Sequence, residues 1–406
     1  MRETSRSRVA DAGAALLALS VGALVASTLG SVRYAENPDE AYYVAYAGHI
    51  AEQGLAGFRQ LFADYAAEPA RWLYPNPLRL GFILLAMGWS EIFGVGFASL
   101  SLLSLACHVG VVAASYLFLR GLVGPRRALA GSALIGFSPL LLGVARRAWV
   151  DGPATLAGLF VLWSFCAWLG APERRGALAR FAIALAAGVL IKETTVLLLL
   201  PCAAIAAYER MAGRGLPLGR FALATAGALA TCAALWWLAA GDAATVAAIG
   251  RIILVSPTSN AYAQELGRGP WYRYAIDLLL LSPWPTLLGI AALGPAALRL
   301  RERKPGDAVV WLGLALASLV AAYAPFTKNV RYVSLCEVPL RALAAWLVFS
   351  LTGADSSRGR LALAAACIAL LCLSGWLSFR AIFVDAGLYD PMTAPLLYLR
   401  GLSANP

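Results

Sequence analysis

The sequence predicts an all-α protein that crosses a membrane many times. Of its 406 residues, 60% are hydrophobic and only 14% are charged, and the mean hydropathy is +0.71. Soluble globular domains carry about a quarter charged residues, so the composition excludes that class. A membrane β-barrel needs strands of about ten residues with alternating polarity, and the apolar runs here do not alternate.

Long uncharged windows mark most of the membrane spans, because a helix of about 20 apolar residues crosses the hydrocarbon core. These windows are 12–32, 92–119, 128–145, 152–172, 221–241, 278–298, 308–327 and 361–379. A further span, 333–352, contains Glu337 and Arg341, which are four residues apart and are expected to form an intramembrane ion pair. The first window is longer than the apolar region of a signal peptide, so we expect it to remain as a membrane helix.

The stretch 181–208 has two interpretations, because Lys192 and Glu193 divide it. It forms either one helix with a buried charge pair or a hairpin of two short helices. Loops rich in Lys and Arg stay cytoplasmic, and only the hairpin puts all the basic clusters on one side. The clusters are Arg2/Arg6/Arg8, Arg120/Arg126/Arg127, Arg174/Arg175/Arg180, Arg210/Arg214/Arg220, Arg299/Arg301/Arg303/Lys304 and Arg358/Arg360. The hairpin gives eleven spans with a cytoplasmic N-terminus.

This topology predicts one membrane domain, 1–406, with two large loops on the outer side. The first outer loop, 33–91, contains a predicted helix, Asp39–Gln53, and a short apolar stretch, 80–90, that suits an interfacial or re-entrant helix. The second is 242–277, and residues 380–406 form a short outer tail. Neither the seven cysteines nor the two histidines have the spacing of a metal site, and the basic loops need no nucleic acid to explain them.

The adjacent carboxylates Asp39 and Glu40 have two compatible interpretations. Asn37 can cap a helix that starts at Pro38, which places both acids in its first turn, where the helix dipole favours them. Alternatively, two carboxylates at the outer end of the first span can act on a lipid-borne substrate. A helix N-terminus fixes a carboxylate in position, so the first interpretation does not exclude the second.

Other charged residues gather at the outer ends of the predicted spans. Arg147 and Asp151 are four residues apart and form either a structural ion pair or part of a functional site. Lys192, at the tip of the hairpin, either marks the path of a substrate or is compensated by the adjacent Glu193 at the membrane surface. Lys328 and Arg331 begin the tenth span, where they either contact a ligand or extend to the membrane surface. A carboxylate there can accept the proton of an acceptor hydroxyl, and the cations can stabilise a departing phosphate. The residues alone therefore indicate group transfer from a lipid phosphate.

An ordered set of motifs makes nearly the whole chain resemble the GT-C glycosyltransferases, particularly the bacterial relatives of protein O-mannosyltransferases and of the lipid A aminoarabinose transferase. The motifs are PDEAYY at 38–43, YPNPLRLGF at 74–82, RRAWVD at 146–151, GVLIKETTVLLLLP at 188–201, GPWYRYAIDLLLLSP at 269–283 and KNVRYVSLCEVPL at 328–340. The resemblance implies a polyprenyl-phosphate sugar donor, an acceptor that is a lipid, glycan or protein, and inversion at the anomeric carbon. It also implies a multi-pass protein of the bacterial inner membrane with a periplasmic active site.

The resemblance assigns roles to individual residues. Asp39 is the expected base, with Glu40 beside it and Asp151 as the second acidic motif residue. Arg147, Lys192, Lys328 and Arg331 are expected near the donor phosphate, and Tyr42, Tyr74 and Arg79 on the acceptor side or first loop. Many relatives have a His-Pro-Pro or Lys-Pro-Pro triplet where this chain has Tyr74-Pro75-Asn76-Pro77. Some GT-C enzymes use a divalent cation and others do not, and no tightly bound metal is expected here.

The alternative hypothesis is a polytopic transporter, or a flippase-like protein that binds a lipid-linked glycan without transferring it. A secondary transporter predicts inverted repeats and broken helices near the membrane midplane. No repeat is visible in this sequence, and the charged residues gather at the outer ends of the spans.

Overall fold

The computed structural model describes residues 2–32, 34, 38–259, 267, 269–389 and 393–402. All regular elements within these ranges are helical, which confirms the predicted all-α class. The first ten α-helices are α1 (Arg2–Ala26), α2 (Pro38–Gln53), α3 (Gly57–Ala67), α4 (Leu80–Phe93), α5 (Phe97–Val123), α6 (Pro125–Gly136), α7 (Pro139–Ala145), α8 (Asp151–Gly170), α9 (Arg175–Ile191) and α10 (Leu199–Met211). The others are α11 (Leu218–Ala240), α12 (Ala243–Ser259), α13 (Arg273–Leu281), α14 (Pro283–Ala291), α15 (Leu293–Glu302), α16 (Ala308–Tyr323), α17 (Glu337–Thr352), α18 (Arg358–Phe379) and α19 (Thr393–Leu399).

Seven helical segments of the described chain are long and apolar enough to cross a membrane, and the pair α6–α7, bent by 59°, makes an eighth. The predicted count of eleven spans is therefore not confirmed. The other three predicted spans correspond to shorter helices. Helices α9 and α16 have 17 and 16 residues, and the span predicted at 278–298 is divided among α13, α14 and α15. The chain is a multi-pass membrane protein.

Two of these helix breaks follow from a proline in the sequence. Pro139 and Pro283 have no N–H to donate to the preceding turn, so α6 and α13 end just before them. At Lys192 the backbone is extended, with φ −150° and ψ 119°, and a 3₁₀ segment, Glu193–Leu198, leads into α10. The break expected at Lys192 is thus confirmed.

Ion pairs near the ends of helices support the predicted grouping of basic clusters at one end of the bundle, here called the basic end. Arg220 after α10 pairs with Glu173 before α9 at 3.0 Å, so α9 and α10 begin and end on the same side, as in a hairpin. Arg120 pairs with Asp11 at 2.7 Å. Arg127 likewise bonds Asp355. Asp39, Lys192 and Arg331 lie at the opposite end, here called the site end.

The segment from Val330 to Thr352 forms the centre of the bundle. Within its most apolar stretch, 94% of the residues are buried inside the protein, whereas the corresponding share is 11% for α11, which lies at the periphery. The Glu337–Arg341 ion pair predicted within this segment is confirmed. Ser138 donates to Glu337 at 3.0 Å and Arg341 donates to the hydroxyl of Ser282 at 3.0 Å, so one buried pair joins the α6–α7 and α13–α14 breaks.

Candidate functional site

Helix α2 carries the acidic pair at the site end. It begins at Pro38, with Asp39 and Glu40 in its first turn, and ends at Gln53, as the sequence predicts. The predicted cap, Asn37, lies outside the described residues. The helix packs on α4 and contacts α5, so its first turn faces the loop before α8.

Glu40 is completely buried and its two oxygens are occupied. Arg147 donates to both, with Nε at 2.8 Å from Oε1, and the main-chain N–H of Ala148 donates to Oε1 at 2.8 Å. Burial raises the pKa of Glu40 to about 6, although Arg147 opposes that shift. These contacts fasten the start of α2 to residues 147–148.

Asp39 points differently from its neighbour. Its Oδ2 accepts a hydrogen bond from Arg331 at 2.7 Å, and 23% of its side chain remains exposed. Arg331 lies in the 3₁₀ segment Val330–Cys336, immediately before α17. Asp39 is therefore the member of the acidic pair that a substrate can reach.

Asp151 pairs with Lys192 and not with Arg147, which corrects the pairing suggested by the spacing of four. The Lys192 Nζ to Asp151 Oδ1 distance is 2.6 Å, and both side chains are buried. The spacing misleads because residues 146–150 form a turn, and α8 starts only at Asp151. The two side chains therefore do not share one helical face.

Arg79 connects the first loop to the residue after Lys192. Its Nε and Nη2 donate to the two oxygens of Glu193 at 3.0 and 2.9 Å, and it also bonds the hydroxyl of Tyr43 on α2. Asn76 adds a hydrogen bond to Glu193 at 3.1 Å. A bidentate arginine–carboxylate pair fixes orientation as well as distance, so this contact sets the position of the Lys192 turn relative to α2.

Lys328 lies near the site end but points at main-chain carbonyls. Its ammonium donates to Phe326 O at 2.7 Å and to Ala324 O, and it lies 5.4 Å from the centre of the Tyr274 ring. Burial lowers the pKa of Lys328. Arg331 and Lys192, in contrast, donate to carboxylates.

Two aromatic rings join the charged groups into one cluster. Trp149 lies between Arg331 and Arg147, whose guanidinium carbons are 4.6 and 5.4 Å from its ring centre. The Tyr332 ring lies 4.9 Å from Lys192 Nζ and 6.0 Å from the Arg331 guanidinium. The structure thus brings Asp39, Glu40, Arg147, Asp151, Lys192 and Arg331 together at the site end.

An apolar groove with a volume of about 610 Å³ begins beside this cluster. It is lined mainly by α8 and α9, with Leu85 and Cys107 contributing from α4 and α5. Its lining on α8 runs from Pro153 to Ala167, which at 1.5 Å per residue is about 21 Å. Pro153 is two residues from Asp151 and Ile191 directly precedes Lys192, so one end of the groove reaches the charged cluster.

The first-loop aromatics lie on the other side of α2. Tyr42 stacks on Tyr74 with ring centres 4.4 Å apart, and both are half-buried. Tyr46 donates to the carbonyl of Pro75 at 2.9 Å, which attaches the Tyr-Pro-Asn-Pro turn to α2. These tyrosines make an aromatic surface next to Asp39 rather than part of the ion-pair cluster.

Four residues at the site, Glu193, Trp149, Tyr332 and Tyr389, have no catalytic or binding role predicted from the sequence, which suggests only a charge pair of Glu193 with Lys192, whereas Glu193 pairs with Arg79. The first three lie within the quoted motifs, so their place in a motif could have indicated that they belong to the site. Tyr389, whose ring lies 3.8 Å from the Arg147 guanidinium, has no such indication in the sequence. Within the described ranges, no three His, Cys, Asp or Glu side chains group closely enough to hold a metal ion.

Comparison with known proteins gives one family match and several similar structures. Residues 79–237 match the model of the dolichyl-phosphate-mannose-protein mannosyltransferase family. No sequence match to a curated protein was found.

The similar structures are longer chains, of which this chain covers 55–74%. ArnT from Cupriavidus metallidurans in the apo state has a TM-score of 0.54 and 16% identity, over 95% of this chain and 67% of ArnT. ArnT bound to undecaprenyl phosphate has a TM-score of 0.55 and 15% identity, over 95% and 74%. The Archaeoglobus fulgidus oligosaccharyltransferase tethered with an acceptor peptide has a TM-score of 0.57 and 14% identity, over 90% of this chain and 55% of that enzyme.

At these identities the likeness concerns the fold. The fold match extends over nearly the whole chain, and the family model covers the segment from the first-loop motif to α11. The resemblance inferred from the ordered motifs is therefore confirmed, and the chain has the fold of the GT-C glycosyltransferases.

Proposed function

We propose that this protein is a membrane glycosyltransferase that transfers a sugar from a polyprenyl-phosphate donor to an acceptor hydroxyl. One observation carries the proposal. Among the carboxylates of the described cluster, Asp39 is the most exposed, it lies beside buried cations, and an apolar groove begins at that cluster. A lipid phosphate needs both an apolar groove and cations beside it.

The groove suits the lipid tail of the donor. Its α8 lining is about 21 Å long, and it ends where Lys192 and Asp151 meet. A polyprenyl chain in this groove brings its phosphate to Lys192, whose ammonium has three N–H groups and donates one of them to Asp151. The ArnT structure bound to undecaprenyl phosphate is a protein of similar fold with such a lipid, which supports this assignment.

The proposed reaction follows from the positions of Asp39 and Arg331. The Asp39 carboxylate takes the proton of the acceptor hydroxyl, and the hydroxyl oxygen forms a bond to the anomeric carbon. The bond from that carbon to the phosphate oxygen breaks, and its electron pair leaves on the polyprenyl phosphate. Attack opposite the leaving group inverts the anomeric carbon, and Arg331 with Lys192 stabilises the negative charge that develops.

The Arg331–Asp39 pair also suggests an order of events. A donor phosphate near Arg331 competes with Asp39 for the same guanidinium, so donor binding turns Asp39 Oδ2 from Arg331 toward the acceptor hydroxyl. On this mechanism the donor binds before the acceptor reacts.

The deciding experiment replaces Asp39 by Asn and follows sugar transfer. We expect Asp39→Asn to abolish transfer while the protein is still inserted and expressed, because the amide cannot accept the proton. Mass spectrometry of envelope glycans in a deletion strain, complemented by each variant, detects the missing sugar by its mass, whichever sugar is transferred. Glu52→Gln, on the exposed part of the same helix, is the matched control. Transfer at the wild-type level by Asp39→Asn would exclude Asp39 as the base, and an unchanged set of envelope glycans in the deletion strain would contradict the proposed transferase.

A further inference from the structure

The chain after α18 folds back against the candidate site. The helix continues beyond Phe379 as a π-helical turn, Arg380–Asp385, and the chain then runs to Tyr389. We call residues 380–389 the return segment. The main-chain N–H of Leu388 donates to Ile382 O at 3.0 Å, which closes the turn on itself.

Arg146 attaches the return segment to the loop before α8. Its buried guanidinium donates to Phe383 O at 2.8 Å and to Thr28 O at 2.7 Å. Its carbon lies 5.7 Å from the Phe379 ring centre. A Cβ at Gly143 would come within 2.5 Å of the Phe383 ring, so no space separates the segment from α7.

Arg147, the next residue, reaches the same segment from its other side. Its guanidinium carbon is 3.8 Å from the ring centre of Tyr389, closer than its 5.9 and 5.4 Å distances to the rings of Tyr34 and Trp149. The same guanidinium donates to both oxygens of Glu40. Tyr389 thus covers the face of the arginine while Glu40 accepts from its edge.

From these contacts we propose that Tyr389 is a positioning residue for Asp39, acting through Arg147 and Glu40. A cation over a desolvated ring face is attracted by the ring, and this attraction keeps the guanidinium edge directed at the carboxylate. Asp39 is adjacent to Glu40 on the first turn of α2, so a shift of Glu40 moves Asp39 as well. The catalytic consequence rests on the proposed transferase function.

Kinetics of three variants test the proposal with a polyprenyl-phosphate donor that carries the sugar detected in the Asp39 experiment. We expect Tyr389→Leu to lower kcat about tenfold and to leave KM for the donor within about twofold, because a displaced base slows the chemical step without removing a donor contact. Tyr389→Phe keeps the ring face and should retain activity. Tyr398→Leu, an exposed tyrosine on α19, is the matched control and should behave as wild type.

Hydrogen exchange tests the positioning without any activity. Tyr389→Leu should speed exchange at the Ala148 N–H, which donates to Glu40, and at the N–H groups of residues 39–41. Exchange at the Gly306 N–H, which donates to Glu209 at the basic end, should not change. Three outcomes would each overturn the proposal. They are unchanged exchange at the Ala148 N–H, a wild-type kcat in Tyr389→Leu, and a melting temperature that is lowered equally in Tyr389→Leu and Tyr389→Phe. If wild-type protein transfers no sugar, the proposed function fails, and the exchange result still decides whether Tyr389 positions α2.

Discussion

Two adjacent carboxylates on one helical turn have different environments in this protein. Asp39 is partly exposed and paired with Arg331, whereas Glu40 is fully buried against Arg147 and Ala148. Their order along the chain determines this difference, because successive residues of a helix point about 100° apart. The sequence motif predicts that both acids matter, but it does not separate the accessible one from the buried one.

The buried position of Glu40 predicts a pH-dependent contribution to stability. Its pKa is raised from an ordinary value of 4.5 to about 6, so its contribution is fully present below about pH 4.5 and is lost as the pH rises through about 6. The cations that face it are Arg147 and Arg331. We expect the unfolding temperature of wild type to fall relative to that of Glu40→Gln as the pH rises from 4.5 to 6, and the difference to stay constant at higher pH. Both temperatures are measured in detergent. A difference that moves toward wild type over that interval would contradict this prediction.

The Asp151–Lys192 pair predicts a non-additive pair of substitutions. Removing one partner of a buried ion pair leaves the other charge uncompensated and costs about 3–5 kcal/mol. We therefore expect Asp151→Leu and Lys192→Met each to lower the free energy of unfolding by that amount, and the double variant to recover most of it. Denaturant titration in detergent measures this, with activity followed separately.

An exposed ion pair on the same protein provides the comparison. Arg220 and Glu173 are 56% and 77% exposed, so Arg220→Met should cost less than about 1 kcal/mol. Equal losses in the buried and exposed pairs, or strict additivity at Asp151 and Lys192, would show that burial does not govern the strength of this contact. Recovered stability in the double variant without recovered transfer would fit the proposed phosphate contact of Lys192.

At the scale of single elements, the sequence predicts the break at Lys192 but not those at Pro139 and Pro283, both of which lie inside windows predicted as continuous spans. Pro139 and Pro283 stop helices because they lack an N–H, and this property can be read directly from the residue type. The division of 278–298 was not predicted, because hydropathy averages over a break. The Arg147–Asp151 pairing failed for a similar reason, since the spacing rule assumes a helix where the chain makes a turn.

The close packing of α18 on the α6–α7 break predicts a glycine-specific defect. A Cβ at Gly375 would stand 2.2 Å from the carbonyl oxygen of Phe137, whereas a Cβ at Gly359 on the same helix meets nothing within 4 Å. We expect Gly375→Ala to destabilise the protein by about 1–3 kcal/mol or more, because a well-packed contact must move apart. Gly359→Ala should be neutral or stabilising by up to about 1 kcal/mol, as Ala favours helix over Gly. Thermal unfolding of the two variants side by side gives the comparison, and equal stability would contradict the predicted contact.

At the scale of the whole molecule, composition predicts the membrane class and the ordered motifs predict the fold. The basic loops predict which ends of the spans lie together, as the Arg220–Glu173 and Arg120–Asp11 pairs support. The lipid-sized groove and the approach of Tyr389 to Arg147 were not predictable, because both depend on how distant helices pack. No local pattern in one sequence records that packing.

The groove predicts a dependence on donor chain length. Ala184 lines it from α9, so Ala184→Trp should fill part of the space that a long prenyl chain occupies. We expect KM to rise several-fold for long-chain polyprenyl-phosphate sugars and to change little for donors with two or three prenyl units, since each buried CH₂ contributes about 0.8 kcal/mol. Ala226→Trp, on the exposed face of α11, is the control. Equal effects on short and long donors would place the lipid elsewhere.

The pairing of Asp39 with Arg331 has a consequence for biosynthesis. The two residues are 292 positions apart, so the ribosome has made most of the bundle before they can meet. Contacts so distant in sequence close late in folding, because the intervening chain must be ordered first. An incompletely inserted chain therefore exposes the Asp39 turn without its arginine, and the site forms only after the central Val330–Thr352 segment is in place.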